Sequence, residues 1–573
     1  DVKAFLDDVN DTMHRLGVER NRAGWVQQTF ITDDTEALSA KAEQAYIDAV
    51  ARFAKQAPRY DHVVVPPDQR RQLNLLKLSL VLVTPSDPKE AEELTRIAAR
   101  LETSYGKGKW CTGDGQPDAC LNIDDITKIM ATVRDEKRLR EVWEGWHTIA
   151  PPMRNDYVRF VELSNKGARE LGFADTGAMW RANYDMAADD FTKEVDRLWD
   201  QVRPLYLELH AYVRMKLHEK YGDIVPVKGP IPAHLLGNIW AQDWSNIYPL
   251  VAPANTAAGY SLTEILKRRN IGAIDMVRIG ERFYTSLGFE PLPRTFWERS
   301  LFIRPRDREV VCHASASDID MEADVRIKMC IDQTEEDFTT IHHELGHNFY
   351  QRAYKDQPVI FRDSANDGFH EAIGDTIALS VTPEYLVKIG LLDKAPDASR
   401  DVGILLARAL DKIAFLPFGL LIDQWRWKVF AGEVRPDSYN KAWWDLRLKY
   451  QGVAPPTARG EQFFDPGAKY HVPDNTPYTR YFLADILQFQ FHRALSKDAG
   501  CTGPLHRCSI FNSRNAGTRL STMLAMGQSR PWPDALEVLI GSRQMDATAI
   551  LDYFAPLKSW LDDQLKGKPV GWQ

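Results

Sequence analysis

The sequence predicts a mainly α-helical protein, built as one large unit with two lobes around a cleft. Long segments carry apolar residues at helical spacing together with many good helix formers. Strand-like segments are few and short. Because no internal repeat, low-complexity tract or long linker divides the chain, residues 1–573 are expected to form a single domain.

The helical segments follow one another along the whole chain. Their apolar positions recur every three or four residues, which predicts helices over 35–56, 87–104, 126–148, 189–221, 400–432 and 478–498. The best strand candidates are residues 294–305 and 308–316, which are rich in Phe, Trp, Ile and Val. Turn-rich breaks are predicted near 60–70, 105–122, 222–234, 452–467 and 500–516.

The composition is that of an ordinary globular protein. Of 573 residues, 44% are hydrophobic and 27% are charged, which excludes disordered and fibrous classes. The 72 basic and 80 acidic residues give a formal net charge of −8, so a nucleic-acid partner is not expected. There is no run of about 18 apolar residues, and therefore no membrane span is expected. The sequence gives no oligomeric state, and a monomer is the expectation.

The six cysteines fall as three local pairs: Cys111 with Cys120, Cys312 with Cys330, and Cys501 with Cys508. The first and third pairs enclose short loops containing Gly and Pro, which suit disulfides, and no pair has the C-x-x-C spacing of zinc ribbons or redox motifs. The alternative is six free buried thiols in a cytosolic protein. Three disulfides would require an oxidising compartment, so a secreted or periplasmic protein whose signal peptide has been removed is expected.

The central motif is His343-Glu344-Leu345-Gly346-His347, an H-E-x-x-H. On a helix, residues i and i+4 share a face, so both imidazoles can bind one Zn²⁺ ion. Glu344 would then lie beside the metal, placed to take a proton from water. Thr334, followed three residues later by Asp337, resembles a capping box at the start of this helix. The alternative is a structural pair of histidines on a core helix.

A second segment makes the zinc interpretation stronger. Phe369 to Asp375 begins 22 residues after His347 and carries Glu371 and Asp375 at i and i+4. Glu371 would be the third zinc ligand, which leaves one position open. Asp375 would accept a hydrogen bond from a ligand histidine and fix its tautomer. The role of His370 is left open, and the alternative for the two acids is a favourable helix N-terminus.

Five motifs together resemble the angiotensin-converting-enzyme family of zinc peptidases, in its single-unit form. They are GNIWAQDWSNIY at 237–248, VVCHASA at 310–316, HHELGH at 342–347, GFHEAIGD at 368–375 and FDPGAKYHVPDNTPYTRYF at 464–482. The resemblance implies a two-lobed helical zincin with a deep cleft, a helical lid from residues 1 to about 60, and the same three disulfides. It also implies a zinc-dependent, chloride-dependent dipeptidyl carboxypeptidase that acts on oligopeptides with a free C-terminus.

The resemblance also assigns substrate-binding residues. Gln242, Lys469 and Tyr478 match the group that holds the free carboxylate of the substrate, which needs a cation and neutral donors. His313 and Ala314 match the segment that pairs with the substrate backbone. A Gln at position 242 favours removal of two residues, because the branch that removes one residue carries Arg there. The alternative for Lys469 is a surface lysine in a loop.

Further family roles concern the transition state and bound anions. His471 and Tyr481 match donors that stabilise a tetrahedral oxyanion. Tyr184 and Arg480 match the family's second chloride site, so one chloride ion is expected there. At the other chloride site Trp443 and Arg447 match, but His147 replaces an Arg.

The chain also departs from the family in its specificity pocket. Asp485 stands where the family often has a Phe, which favours a basic or polar last residue. Two other classes stay open: a helical zinc oligopeptidase or monocarboxypeptidase, and a peptide-binding relative without activity. Intact Glu344, His343, His347 and Glu371 argue against the second class. The sequence does not name the physiological peptide.

Overall fold

A computed structural model describes residues 1–112, 119–254 and 259–573, and most of these residues are helical. The helices are α1 (Val2–Thr29), α2 (Asp33–Gln56), α3 (Pro67–Lys77), α4 (Pro88–Gly106), α5 (Ile123–Thr132), α6 (Glu136–His147), α7 (Arg154–Glu170), α8 (Thr176–Ala182), α9 (Ala188–Tyr221), α10 (Tyr248–Val251), α11 (Leu262–Arg268), α12 (Ala273–Leu287), α13 (Arg294–Arg299), α14 (Glu335–Ala353), α15 (Phe369–Leu379), α16 (Pro383–Lys388), α17 (Asp401–Phe430), α18 (Tyr439–Leu446), α19 (Thr479–Asp498), α20 (Arg514–Ala525), α21 (Trp532–Ile540), α22 (Thr548–Tyr553) and α23 (Ala555–Gln564).

The strands of the described residues are short and form three two-stranded pairs. They are β1 (Trp110–Cys111), β2 (Cys120–Leu121), β3 (Ile231–Pro232), β4 (Ser315–Asp318), β5 (Val325–Lys328) and β6 (Val453–Ala454). β1 and β2 are antiparallel, β3 and β6 are parallel, and β4 and β5 form an antiparallel hairpin. The prediction of a mainly α-helical fold is confirmed.

Five of the six predicted helices are confirmed as α2, α4, α9, α17 and α19. The prediction of one helix over 126–148 is wrong, because the chain breaks between α5 and α6. Asp135 causes the break: its side chain accepts the backbone N–H of Arg138 and so caps the start of α6. Because the apolar residues keep helical spacing across this break, the sequence pattern does not reveal it.

Both strand candidates are mostly wrong. Residues 294–299 form α13, and Phe296 is fully buried on the inner face of that helix. Residues 308–314 do not pair with a strand, because their backbone bonds to the end of α1: Val311 N–H donates to the Gln28 carbonyl at 2.8 Å. Strand structure begins only at Ser315. Aromatic and β-branched residues favour a half-buried surface of any kind, and tertiary contacts decide which.

The apolar core has two parts. One large cluster contains most of the buried apolar residues between Val83 and Trp572. A second, smaller cluster joins α1, α2 and α3 and also contacts Val359 and Ile360. α1 lies against the β4–β5 hairpin, where the Asn21 amide donates to the Asp318 carbonyl at 2.8 Å. The N-terminal helices therefore pack as a separate layer over the hairpin that leads into the cleft.

Three disulfides join the cysteines as the sequence predicts: Cys111–Cys120, Cys312–Cys330 and Cys501–Cys508. The second of them ties the segment before β4 to the residues after β5. Within the described ranges, no helix is both long enough and apolar enough to cross a bilayer.

Candidate metal centre and substrate cleft

The H-E-x-x-H segment lies on α14, as predicted. The helix begins after Thr334, whose hydroxyl accepts the backbone N–H of Asp337 at 3.1 Å. The reciprocal half of the predicted capping box is absent, since the Asp337 carboxylate accepts the backbone N–H of Asp332 instead. This bond satisfies one of the four backbone N–H groups that the first turn leaves without an intrahelical partner, and the Thr263 hydroxyl accepts another, from Glu335, at 3.0 Å. His343 and His347 then project from the same face.

Two glycines let α14 and α15 approach closely enough to share a metal. A Cβ atom on Gly374 would lie 2.8 Å from His343 Nδ1, and one on Gly346 would lie 3.0 Å from the Gly374 Cα atom. Any side chain at either position would push the helices apart. This close contact places Glu371 of α15 opposite the two histidines of α14.

The donor atoms fit a zinc ion. His343 Nε2 and His347 Nε2 are 3.1 Å apart. The Glu371 carboxylate oxygens are 3.4 Å from His343 Nε2 and 3.7 Å from His347 Nε2. Tetrahedral zinc with bonds of about 2.0–2.1 Å needs ligand atoms about 3.3 Å apart. A Glu344 carboxylate oxygen also lies within 4.8 Å of both histidines, so it stands beside this set.

The outward nitrogens of both histidines have partners. His343 Nδ1 donates to Asp375 Oδ1 at 2.9 Å, and Asp375 is in turn 3.5 Å from Lys412 Nζ. His347 Nδ1 lies 3.0 Å from His370 Nδ1, and His370 Nε2 lies 3.2 Å from the Tyr354 hydroxyl. The sequence left His370 open, because this contact exists only where α15 crosses α14. Both bonds turn Nε2 toward the metal position.

Charges around the metal position are strongly coupled. Burial alone would lower the pKa of His343, but hydrogen bonds to Asp375 and Glu371 raise it to about 10. Burial raises the pKa of Glu344 to about 7. Burial would raise the pKa of Asp375, but Lys412 and His343 outweigh this effect and lower that pKa. Because a histidine binds zinc only in its deprotonated, neutral form, metal binding would release the proton of His343.

Two adjoining cavities meet at the metal position. The larger one, about 1040 Å³, is lined by His343, Glu344 and His347 together with His313 and Ala314. The smaller one, about 350 Å³, is lined by Gln242, Lys469, His471, Tyr478 and Tyr481. Glu371 and Asp375 line both. The structure thus brings together, along one cleft, the metal-binding and substrate-binding residues predicted from the sequence.

Comparison with known proteins agrees with this arrangement. Residues 1–572 match the sequence family described as angiotensin-converting enzyme. The chain belongs to the angiotensin-converting enzyme family of peptidases. The angiotensin-converting enzyme of Theromyzon tessulatum is 41% identical over 586 residues, which is 100% of this chain and 93% of that protein.

Other relatives are longer than this chain. The angiotensin-converting enzyme of Rattus norvegicus is 43% identical over 581 residues, which is 100% of this chain but 44% of that protein. The angiotensin-converting enzyme-like protein Ace3 of Mus musculus is 39% identical, and 78% of it is covered. This chain therefore spans less than half the length of the Rattus norvegicus relative.

Lys469 is a buried lysine with no acidic partner among the residues that the structure describes. It is 5% exposed, its Nζ donates to Gln242 Oε1 at 2.7 Å, and it lies 4.2 Å from the centre of the Trp240 ring. Burial lowers its pKa to about 7, and no carboxylate of the described residues opposes that shift. A buried charge without a counter-ion is unfavourable, which is why the neutral form of this lysine is favoured here.

The predicted oxyanion donors lie next to this cluster. The rings of His471 and Tyr481 are 5.7 Å apart, and the Tyr478 ring is 4.7 Å from His471. Burial lowers the pKa of His471 to about 3, with Lys469 contributing, so the imidazole is neutral. The Arg426 guanidinium donates to the His471 carbonyl at 2.8 Å and holds this loop in place.

A buried lysine that the sequence analysis missed supports the predicted backbone-pairing segment. Lys328 is 1% exposed and its Nζ donates to the carbonyls of Val311 and His313 at 2.7 and 2.6 Å. The Cys312–Cys330 disulfide ties the same two segments. His313 and Ala314 are thereby held at the wall of the larger cavity.

The arginines that match the two chloride sites of the family both lie beside polar side chains of this chain, and the chloride ion expected near Tyr184 and Arg480 stays a prediction. Tyr184 and Arg480 line one small cavity, but Arg480 Nε lies 3.3 Å from Asp367 Oδ2. At the other site, Arg447 is 1% exposed and donates to Gln451 Oε1 at 2.8 Å.

The two other residues that match the chloride site at Arg447, His147 and Trp443, are both uncharged. Burial lowers the pKa of His147 to about 4, and its Nδ1 lies 2.7 Å from the Trp143 carbonyl. Trp443 packs edge-on against Phe418 and Trp425. His147 therefore acts as a neutral core residue that stacks on Trp143.

Proposed function

We propose that this chain is a zinc-dependent peptidyl-dipeptidase that releases C-terminal dipeptides from oligopeptides. The observation that carries the proposal is Lys469, which has no acidic partner in the described part of the chain and is buried in the cavity that adjoins the metal-binding residues. A free C-terminal carboxylate supplies the missing counter-ion. Family membership supports the peptidase chemistry.

His343, His347 and Glu371 would hold the zinc ion. When bound, zinc would polarise the scissile carbonyl and acidify a water molecule. Asp375 and His370 orient the two histidine rings through their outward nitrogens.

The chain's own side chains perform the proton transfers. Glu344 takes a proton from the attacking water and then delivers it to the leaving amine. Its raised pKa suits a group that must both accept and donate a proton near neutral pH. His471 and Tyr481 donate hydrogen bonds to the carbonyl oxygen as negative charge develops on it.

The residues that bind the substrate's C-terminal carboxylate and those that pair with its backbone together determine which peptide bond is cleaved. Gln242, Lys469 and Tyr478 bind the C-terminal carboxylate. His313 and Ala314 pair with the substrate backbone on the other side of the metal. The Gln at position 242 leaves room for two residues between carboxylate and metal.

Two carboxyl groups line the pocket around the last side chain, which supports a preference for a polar or basic residue there. Burial raises the pKa of Asp485 well above its usual range, so a basic residue would also have to draw out its proton. Asp485 is 4% exposed and lines the same cavity as Lys469. Its Oδ1 accepts the Gln488 amide, but its Oδ2 has no hydrogen-bond partner within the described part of the chain. Asp411 lines this cavity too, and Lys412 is already paired with Asp375.

The remaining parts of the proposal concern the whole chain. Residues 1–573 would act as one catalytic domain, with residues 1 to about 60 as the lid, which their separate apolar cluster supports. The three disulfides support a secreted or periplasmic location. Chloride dependence and a monomeric state stay predictions.

One experiment tests the activity. An N-blocked peptide is offered with its C-terminus free and then amidated, and the products are identified by mass spectrometry. Loss of a dipeptide from the free acid, roughly 10-fold or more faster than from the amide, is expected, and it should be abolished by a chelator and by Glu344→Gln. Loss of a single residue would favour a monocarboxypeptidase, equal internal cleavage of both forms an oligopeptidase, and no cleavage with zinc bound a peptide-binding protein.

A further inference from the structure

Lys328 lies behind the segment that faces the larger cavity of the cleft. It is on β5, opposite Ser315 of β4, and it is 1% exposed. His313 and Ala314 line the cavity, whereas Lys328 does not. The lysine therefore contacts this segment from the side away from the space that a substrate would occupy.

The amine of Lys328 serves two backbone carbonyls of the segment. Its Nζ donates to the carbonyl of Val311 at 2.7 Å and to that of His313 at 2.6 Å. Burial lowers the pKa of Lys328, and of the described residues only Glu344 opposes that shift. Because a buried amine without hydrogen bonds is costly, these two bonds stabilise Lys328 at this position.

The bond to His313 also fixes the direction of the next N–H group. The carbonyl of His313 and the N–H of Ala314 belong to one peptide unit, which is planar and trans, so the two groups point in opposite directions. Because the carbonyl is held toward Lys328, the N–H points away from the lysine, on the side of the cavity. This N–H has no hydrogen-bond partner among the described residues. It is therefore free to bond a carbonyl of a substrate backbone.

The Cys312–Cys330 disulfide constrains a different property of the segment. It is a bond between side chains, so it determines where the segment lies relative to the end of β5. It does not hold the plane of the peptide unit between His313 and Ala314. Lys328 supplies that second constraint through the His313 carbonyl.

We propose that Lys328 is a positioning residue of the peptidase: it turns the Ala314 N–H toward the backbone carbonyl that precedes the residue whose own carbonyl is attacked. The proposal rests on the proposed peptidase function and gives Lys328 a part in substrate binding beyond support of the fold. A peptide that extends past the attacked residue on its amino side gains this hydrogen bond. A peptide that begins at the attacked residue has no carbonyl to offer.

Two substrates separate this role from a general loss of structure. Both are the same tripeptide with a free C-terminus, but one is N-acetylated and so carries the additional carbonyl. Lys328→Met, which removes the amine and keeps an apolar stem, should lower the ratio of kcat/KM for the acetylated and free tripeptides by roughly 2- to 10-fold, the effect of one hydrogen bond. The matched control is Arg326→Gln on the same strand, which loses only the ion pair with Asp324 (2.8 Å) and should keep the unmutated ratio. If Lys328→Met does not fold, Lys328→Gln, which retains an amide donor, gives the same comparison with a smaller expected loss.

Binding gives a readout that does not need cleavage. By calorimetry, zinc-loaded Glu344→Gln should bind the acetylated tripeptide more tightly than the free one, and the addition of Lys328→Met should remove most of that difference. If no protein cleaves peptide while the binding difference behaves in this way, the peptidase proposal fails and the role of Lys328 in orienting Ala314 stands. An unchanged ratio in folded Lys328→Met, an equal loss for both tripeptides, or failure of both Lys328 variants to fold would overturn the positioning role.

Discussion

The protonation of Lys469 should control the use of substrates with a free C-terminus. Burial lowers the pKa of this group to about 7, so it is charged below that pH and neutral above it. Only the charged form supplies a counter-ion for the substrate carboxylate. We therefore expect kcat/KM for free-acid peptides to fall as the pH rises through about 7. For the corresponding C-terminal amides, kcat/KM should not depend on the charge of Lys469.

The size of the effect follows from the fraction of charged Lys469. Relative to the acidic limit, kcat/KM should fall roughly 2-fold at the pKa and about 10-fold one pH unit above it. Lys469→Met should lower kcat/KM for the free acid by roughly 10- to 150-fold, since a hydrogen bond to a charged group contributes about 1.5–3 kcal/mol. Lys469→Arg keeps a permanent charge and should remove the pH dependence while retaining part of the activity.

The assay is the ratio of kcat/KM for one N-blocked peptide as free acid and as amide, between pH 5.5 and 9. The ratio cancels the ionisation of Glu344 and of the metal site, which act on both peptides alike. A ratio that stays constant in the unmutated enzyme would refute the reasoning. So would an equal slope in the unmutated enzyme and in Lys469→Met.

Four further outcomes follow from the same contacts. Glu344→Gln should keep one zinc per chain by elemental analysis but lower kcat by roughly 10²–10⁴-fold; near-normal turnover would exclude Glu344 as the base. Asp375→Asn should weaken zinc binding by about 10- to 100-fold in chelator competition, and unchanged affinity would show that its bond to His343 is dispensable. Replacing Cys312 and Cys330 with Ser should lower the free energy of unfolding in urea by about 2–4 kcal/mol, a loss that an unchanged midpoint would contradict. Asp485→Asn should reduce kcat/KM for peptides ending in Lys several-fold relative to those ending in Leu, whereas an unchanged preference would remove Asp485 from the pocket.

The metal-binding residues could be predicted from sequence because their spacing is a local property. Two residues at i and i+4 share a helix face whatever surrounds the helix, so His343 with His347, and Glu371 with Asp375, were predictable as pairs. The long helices α9, α17 and α19 were predictable for the same reason. The strand prediction at 294–305 failed because its aromatic residues fit a buried helix face equally well.

Which residues meet across the chain was not predictable from local spacing. His370 bonds to His347 only because Gly346 and Gly374 let two helices touch. Lys328 supports the segment at His313 only because a hairpin folds back beneath it.

The sequence by itself determined the helical class and the family resemblance, and it predicted which residues would bind zinc, since these depend on residue type and short spacing. Only the tertiary structure decided which charges balance one another. Among the described residues, Lys469 is buried without an acidic partner and Arg480 pairs with Asp367, because ion pairing depends on burial and on distances of 3–4 Å between segments far apart in the chain.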